Sequence, residues 1–232
     1  MSKLVGVLGG MGPMATADFF RKLVEETPAT HDRDHVPVII YSVPQIPSRD
    51  KAITSGGESP LPQMLAGMHA LKKQNVDFVV IPCNTAHYWY EDLCREGGLP
   101  ILHIVDAVRD ELSNGHAVEG PIGLLSTEAT LLSGIYRDRL ADRGIELMVN
   151  TQEERDEFIN PAIEWVKCGR LPEAGRAVDR AVARLLDRGA QKLILGCTEL
   201  PVALEAIASP RMGSCIDATR ALARASVRRA RG

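Results

Sequence analysis

Apolar residues gather along this chain in short runs, "KLVGVL", "VPVIIYSV", "DFVVIP" and "LPILHI". Each run is followed by a stretch with helical spacing of apolar and polar positions, over 14–26, 60–75, 85–96 and 105–114. The runs are rich in Val and Ile and bounded by Gly, Pro and Asp, the signature of strands. Strand and helix alternate, which predicts a parallel sheet with helices on both faces. The runs are nearly continuous rather than alternating, as strands covered on both sides require.

From Gly120 the order begins again. "GPIGLLSTEAT", "GIELMVNT", "QKLILGCTEL" and "GSCIDATR" echo "KLVGVLGGMGP", "VPVIIYSVP", "DFVVIPCNTA" and "LHIVDAVR", at offsets of 117, about 109, 114 and 111. Gly6 matches Gly123, Cys83 matches Cys197 and Asp106 matches Asp217. The period is too long for a solenoid. The pattern predicts an α/β protein of two pseudo-symmetric α/β subdomains with mainly parallel sheets, 1–103 with 211–232 and 104–210. A pseudo-twofold relation would set the two Cys-Thr turns, at the carboxyl ends of equivalent strands, on either side of one cleft. Open α/β sheets bind ligands at those strand ends.

Composition narrows the class. The 232 residues suffice for two small cores. Lys plus Arg number 27 against 30 Asp plus Glu, and positive charge concentrates in the tail "RALARASVRRARG", which reads as a basic helix face. No nucleic-acid or membrane partner is expected. Five widely spaced cysteines do not form a disulfide framework and suit a reducing, cytoplasmic setting. The apolar run at the start stops at Gly9-Gly10, so it reads as a first strand and not a signal peptide. No run approaches the roughly 20 residues that span a bilayer.

Cys83 and Cys197 each follow a strand and open a helix, where free backbone N–H groups and the helix dipole favour a thiolate. Cysteine is also a common small core residue, but a matched pair is more than one buried thiol. Two thiols on opposite sides of a small molecule can take a proton from one face of a carbon and return it on the other. Asn84, Thr85 and Thr198 offer donors beside a helix start, fit either to hold a carboxylate or to cap the helix. "LGGMGPMAT" lacks the GxGxxG and GxxxxGK[ST] patterns, so its glycines serve close backbone approach or helix packing rather than a phosphate. Arg49, in "PQIPSRDK", falls in an expected loop and can hold a second carboxylate, with Lys167 of "EWVKCGR" assisting. His87 lies one helical turn beyond Cys83, a spacing open to metal ligation. Two ligands make no site, and without CxxC or HExxH no metal is expected. Cys94, Cys168 and Cys215 are expected to be buried and slow to react.

The segments "GVLGGMGPMAT", "PCNTAH" and "LGCTELP" resemble the three signatures of the aspartate/glutamate racemases, the pyridoxal-phosphate-independent amino-acid racemases, and the spacing agrees over nearly the whole chain. The resemblance implies two α/β subdomains, no cofactor, and Cys83 and Cys197 alternating as proton acceptor and donor. It implies that Arg49 and Lys167 bind the side-chain carboxylate of aspartate. Asn84, Thr85, Thr127 and Thr198 would hold the α-carboxylate, Met11 would line the substrate site, and His87 and Glu199 would support it. It also implies a homodimer. One departure is Ser48, where the aspartate-specific pattern has an aspartate before the arginine. The same superfamily includes hydantoin racemases, maleate isomerases and arylmalonate decarboxylases. Retention of both Cys-Thr turns favours racemisation over a one-cysteine decarboxylase, and a non-catalytic amino-acid sensor would have no need of both.

Overall fold

The computed structural model describes residues 2–114, 120–141 and 144–232. The chain forms two compact units, Met1–Ala107 with Thr219–Gly232, and Val108–Ala218.

In the first unit the order is β1 (Val5–Gly9), α1 (Pro13–Glu25), β2 (Val38–Ser42), α2 (Arg49–Thr54), α3 (Leu61–Lys72), β3 (Phe78–Val80), α4 (Tyr90–Gly97) and β4 (Ile101–Leu102), and α5 (Ile104–Asn114) begins in this unit and continues in the second. The strands lie in the order β2-β1-β3-β4, all parallel. The second unit holds β5 (Ile122–Leu125), α6 (Glu128–Leu132), α7 (Ile135–Leu140), β6 (Leu147–Val149), α8 (Gln152–Glu154), α9 (Asn160–Lys167), α10 (Leu171–Asp187), β7 (Lys192–Leu195), α11 (Glu199–Ala206) and β8 (Cys215–Asp217). Its order, β6-β5-β7-β8, is the same topology again, also parallel. The last helix, α12 (Ala218–Arg231), returns to the first unit.

The duplication holds to the residue at its centre. Gly6 lies in register with Ile39 and Val79, and Gly123 with Met148 and Leu193. Both glycines are packing sites, since a Cβ would stand 2.9 Å from Val76 Cγ2 at Gly6 and 2.2 Å from Leu193 Cδ2 at Gly123. The offset between β3 and β7 is 114, the same that relates Cys83 to Cys197. The fourth echo needs correction. Ile101 pairs with Val79 and Cys215 with Leu193, so β4 and β8 are also related by 114 and not 111, and Asp106 is not the counterpart of Asp217. Asp106 lies inside α5, whereas Asp217 ends β8.

The chain crosses between units after Ala107 and after Ala218. The second crossing falls later than the expected 210/211 because β8 hydrogen-bonds to β7 and so completes the second sheet.

The central strands β1, β3, β5 and β7 are buried on both faces except for Lys192 at the start of β7. "VPVIIYSV" is not covered in this way. β2 is an edge strand with only one neighbour, and Ile40 and Tyr41 are 37% and 43% exposed. An apolar run alone does not say whether a strand lies inside the sheet or at its edge.

The second core gathers on α10, where Ala174, Ala177, Val178, Ala181, Val182 and Leu185 recur at helical spacing and face Leu193, Leu195, Leu200 and Ala203. Burying a large aliphatic side chain contributes about 1.5–3 kcal/mol. The basic tail is also structural. Arg220 holds Glu26 at 2.7 Å and Glu25 at 3.0 Å, Arg224 holds Glu26 at 2.8 Å, and Arg229 lies over the Phe78 ring. These contacts fasten α12 to the first unit. Among the described residues no helix is long and apolar enough to cross a membrane.

Candidate active site

Three segments of the first unit carry its expected site residues. After β1, Gly10 takes a φ of +93°, and a Cβ there would stand 2.4 Å from the Val43 backbone. Only glycine fits such a position. Thr16 of α1 closes the loop: its hydroxyl accepts from the Gly10 N–H and donates to the Gly12 carbonyl, each at 2.9 Å. This seats Met11, which is 4% exposed, at the strand end. The glycines therefore answer to backbone packing.

Arg49 is not in a loop. It is the first residue of α2, and Ser48 caps that helix, its hydroxyl accepting from the Lys51 N–H at 3.3 Å. An aspartate at 48 could make the same cap, so the departure from the aspartate-specific pattern leaves the local fold intact. Arg49 Nη1 donates to the carbonyls of Ile46 and Pro47 at 3.2 and 2.9 Å, which fixes the guanidinium.

Cys83 lies beyond β3 and is 7% exposed. The chain then makes a 3₁₀ turn, Thr85–Trp89, and the α-helix starts only at Tyr90. The expected α-helical dipole is therefore not at this thiol. Asn84 and Thr85 are buried, and Asn84 makes no side-chain cap. His87 is committed to the backbone. Its Nδ1 bonds the Cys83 carbonyl at 2.9 Å, and because a carbonyl only accepts, Nδ1 carries the proton. Nε2 then accepts from the Ile104 N–H at 3.3 Å. A neutral imidazole with a fixed tautomer holds the cysteine turn. His103, which sequence reasoning missed, packs against it with ring centroids 4.5 Å apart.

In the second unit, Cys197 is part-buried and its turn does open an α-helix, α11. Its Sγ donates to Glu199 Oε2 at 3.0 Å, and Thr198 Oγ1 donates to the same oxygen at 3.2 Å. Thr198 and Glu199 are 3% and 6% exposed. Thr198 makes no side-chain cap, which leaves the capping alternative unused there. Thr127 does cap: it accepts from the Thr130 N–H at 3.2 Å at the start of α6.

Lys167 ends α9 and pairs with Glu164 at 2.7 Å on the helix surface. Burial pulls its pKa down, but the Glu164 hydrogen bond and charge, with smaller contributions from Glu199 and Cys197, leave it raised. Lys167, Glu199 and Cys197 are thus electrostatic neighbours. Tyr136 of α7 belongs to the same patch. Burial first, then the charges of Cys197 and Asp217, push its hydroxyl well above the usual tyrosine range. A lone tyrosine in "SGIYRDRL" gave no signal of this. Tyr136 also lines an apolar cavity of about 420 Å³ with Leu124, Leu131, Leu147 and Val149, and Cys197 is not among its lining residues.

The other cysteines differ from expectation. Cys168 is exposed, because it follows the last residue of α9 on the surface, and Cys94 and Cys215 are part-buried. Burial, and after it Asp179, push the Cys215 thiol up to about 12. Among the described residues, no three His, Cys, Asp or Glu side chains are grouped as a metal site.

Known proteins resemble this chain in sequence and in fold. The chain is 29% identical over 228 residues to the broad specificity amino-acid racemase RacX of Bacillus subtilis, covering 97% of this chain and 96% of that one. It is 30% identical over 157 residues to the glutamate racemase of Aquifex aeolicus, covering 66% and 59%. Among solved structures it superposes on the Picrophilus torridus aspartate racemase with a TM-score of 0.84 at 31% identity, covering 98% and 94%. The family model for Asp/Glu/Hydantoin racemase matches residues 8–226, and with two repeated four-stranded units each ending a central strand in a Cys turn, the chain belongs to that family.

Proposed function

We propose that this protein is a cofactor-independent amino-acid racemase that interconverts L- and D-aspartate with Cys83 and Cys197 as its two bases. The observation that carries the reading is the equivalence of the thiols. They stand at the same step beyond equivalent central strands of two sheets with the same topology. One thiolate takes the α-hydrogen as a proton, leaving the electron pair on the carbon skeleton, and the other thiol gives its proton to the opposite face. Both sulfurs exchange roles, so atoms and charge balance.

The α-proton of an amino acid is weakly acidic, and no imine serves as electron sink. The developing charge must be offset by fixed donors in a water-poor site. Asn84, Thr85 and Thr198, all buried, are the donors assigned to that task, with Thr127 assisting. Arg49 and Lys167 are assigned to the side-chain carboxylate, and the likeness to the Picrophilus torridus aspartate racemase supports that substrate. A broader range of amino acids is the second reading. It is favoured by the likeness to RacX and by the engagement of both cations within the chain, Arg49 by carbonyls and Lys167 by Glu164. We extend the proposal to a homodimer, supported by Met14, Phe20 and Val24, which α1 leaves 41–49% exposed.

The test is α-proton exchange in deuterated water, followed by NMR on L- and D-aspartate, glutamate and alanine. Wild type should exchange and racemise aspartate fastest. C83S and C197S should each lose racemisation, while either retains exchange of one enantiomer. Substantial racemisation by both single variants would sink the two-thiol mechanism, and faster turnover of alanine would move the substrate to the second reading.

A further inference from the structure

The two thiols are equivalent by fold but not by surroundings. Two residues beyond Cys197 stands Glu199, and its Oε2 accepts from both Cys197 Sγ and Thr198 Oγ1. With Oε2 as the acceptor of both bonds, the thiol and the hydroxyl are the donors, and each holds its proton on its own side. The offset of 114 puts Thr85, an uncharged residue, at the matching place beside Cys83. His87 on that side is neutral and turned to the backbone. We propose that Glu199 is a positioning residue that assigns the proton of the resting pair to Cys197, so that Cys83 is the base that begins the cycle.

The proposal rests on the racemase reading and deepens it. A thiolate at Cys197 would face an anionic oxygen at 3.0 Å in a site where Glu199 is only 6% exposed. Like charges at that distance favour the protonated thiol. The other groups facing this patch do not reverse the balance. Lys167 of α9 attracts a thiolate, but its ammonium is held by Glu164 at 2.7 Å and is half-exposed. Tyr136 of α7 stays neutral, and Asp217 of β8, which with Cys197 acts on that tyrosine, brings no positive charge. In turnover, Cys83 Sγ forms an S–H bond with the α-hydrogen, the Cys197 S–H bond breaks toward the other face, and Cys197 is left as thiolate beside Glu199. That repulsion favours return of a proton to Cys197. The enantiomer whose α-hydrogen faces Cys83 therefore meets the resting enzyme.

Iodoacetamide labelling of each cysteine, resolved by peptide mass spectrometry across pH, reads this directly. Solvent access scales a labelling rate but leaves its pH midpoint in place, so the midpoints of Cys83 and Cys197 are compared. In wild type the Cys83 midpoint should lie below that of Cys197. E199Q, which keeps the acceptor and removes the charge, should lower the Cys197 midpoint by about one to two pH units, a 10-fold to 100-fold faster labelling near neutrality. E199D should keep the high midpoint. A Cys197 midpoint at or below that of Cys83 in wild type, or one unmoved in E199Q with native circular dichroism, overturns the proposal. If E199Q does not fold, the wild-type order decides. The reading it rests on fails separately: substantial racemisation by both C83S and C197S removes the two-thiol mechanism, and absence of α-proton exchange in wild type removes the racemase.

Discussion

Thr16 offers a sharp test of how the first loop is held. Its hydroxyl joins the Gly10 N–H to the Gly12 carbonyl across the segment that carries Met11, and Thr16 is 4% exposed. Thr16→Val keeps the shape and removes both bonds. The orphaned buried N–H costs about 1–3 kcal/mol, and the lost hydroxyl-to-carbonyl bond about 0.5–1.5 kcal/mol. The added methyl returns roughly 0.8 kcal/mol. The net is a destabilisation of roughly 1–3.5 kcal/mol, and at about 2–4 °C per kcal/mol for a chain of this size Tm should fall by roughly 2–14 °C. Differential scanning calorimetry measures it, with Thr16→Ser as the control that restores the hydroxyl. KM for aspartate should rise in Thr16→Val as the Met11 loop loosens, and recover in Thr16→Ser. A Thr16→Val protein that melts within a degree of wild type would show that the hydroxyl is not what fixes this loop.

Three further outcomes are expected. Arg49→Ala should lower turnover of aspartate roughly 10-fold to 150-fold, the loss of one charge-assisted hydrogen bond, while α-proton exchange of small neutral amino acids changes less; an unchanged rate on aspartate removes Arg49 from the site. Exposed Cys168 should be alkylated whether or not aspartate is present, whereas aspartate protects Cys83 and Cys197, and Cys215, with its thiol pushed up to about 12, stays unlabelled at mildly alkaline pH; protection of Cys168 by aspartate would contradict this. Burial raises the Glu26 pKa, but Arg224 and Arg220 outweigh it and leave it lowered, so its contribution is present above the ordinary 4.5 and lost as pH falls through the lower folded value. E26Q should therefore flatten the decline of Tm between about pH 5 and pH 3, and an equal decline in both proteins would rule out the link between α12 and α1 as a source of acid sensitivity.

The sequence by itself determined the features that are local in the chain. Strand runs, the repeated order and the match of Cys83 with Cys197 could be read because a strand and the turn that leaves it are continuous, so an offset found in one carries into the other. Glu199 was legible as a charged residue beside the second turn, and Arg49 and Lys167 only as charged residues elsewhere in each half that the family resemblance singled out. Only tertiary structure decided the rest. That β2 is an exposed edge follows from which strands pair, and the 114-residue relation of β4 to β8 follows from hydrogen-bond register across the sheet, to which sequence similarity among short βα segments is blind. The 3₁₀ turn after Cys83 and the α-helix after Cys197 differ although their sequences read alike, because His87 bonds back to the Cys83 carbonyl where the second unit has Pro201. The nearness of Tyr136 and Lys167 to Cys197 joins residues of two helices to the turn before α11, and the bond from Cys197 to Glu199 depends on side-chain torsions. Pattern reports which residues share an element; distances between side chains are set only when those elements pack.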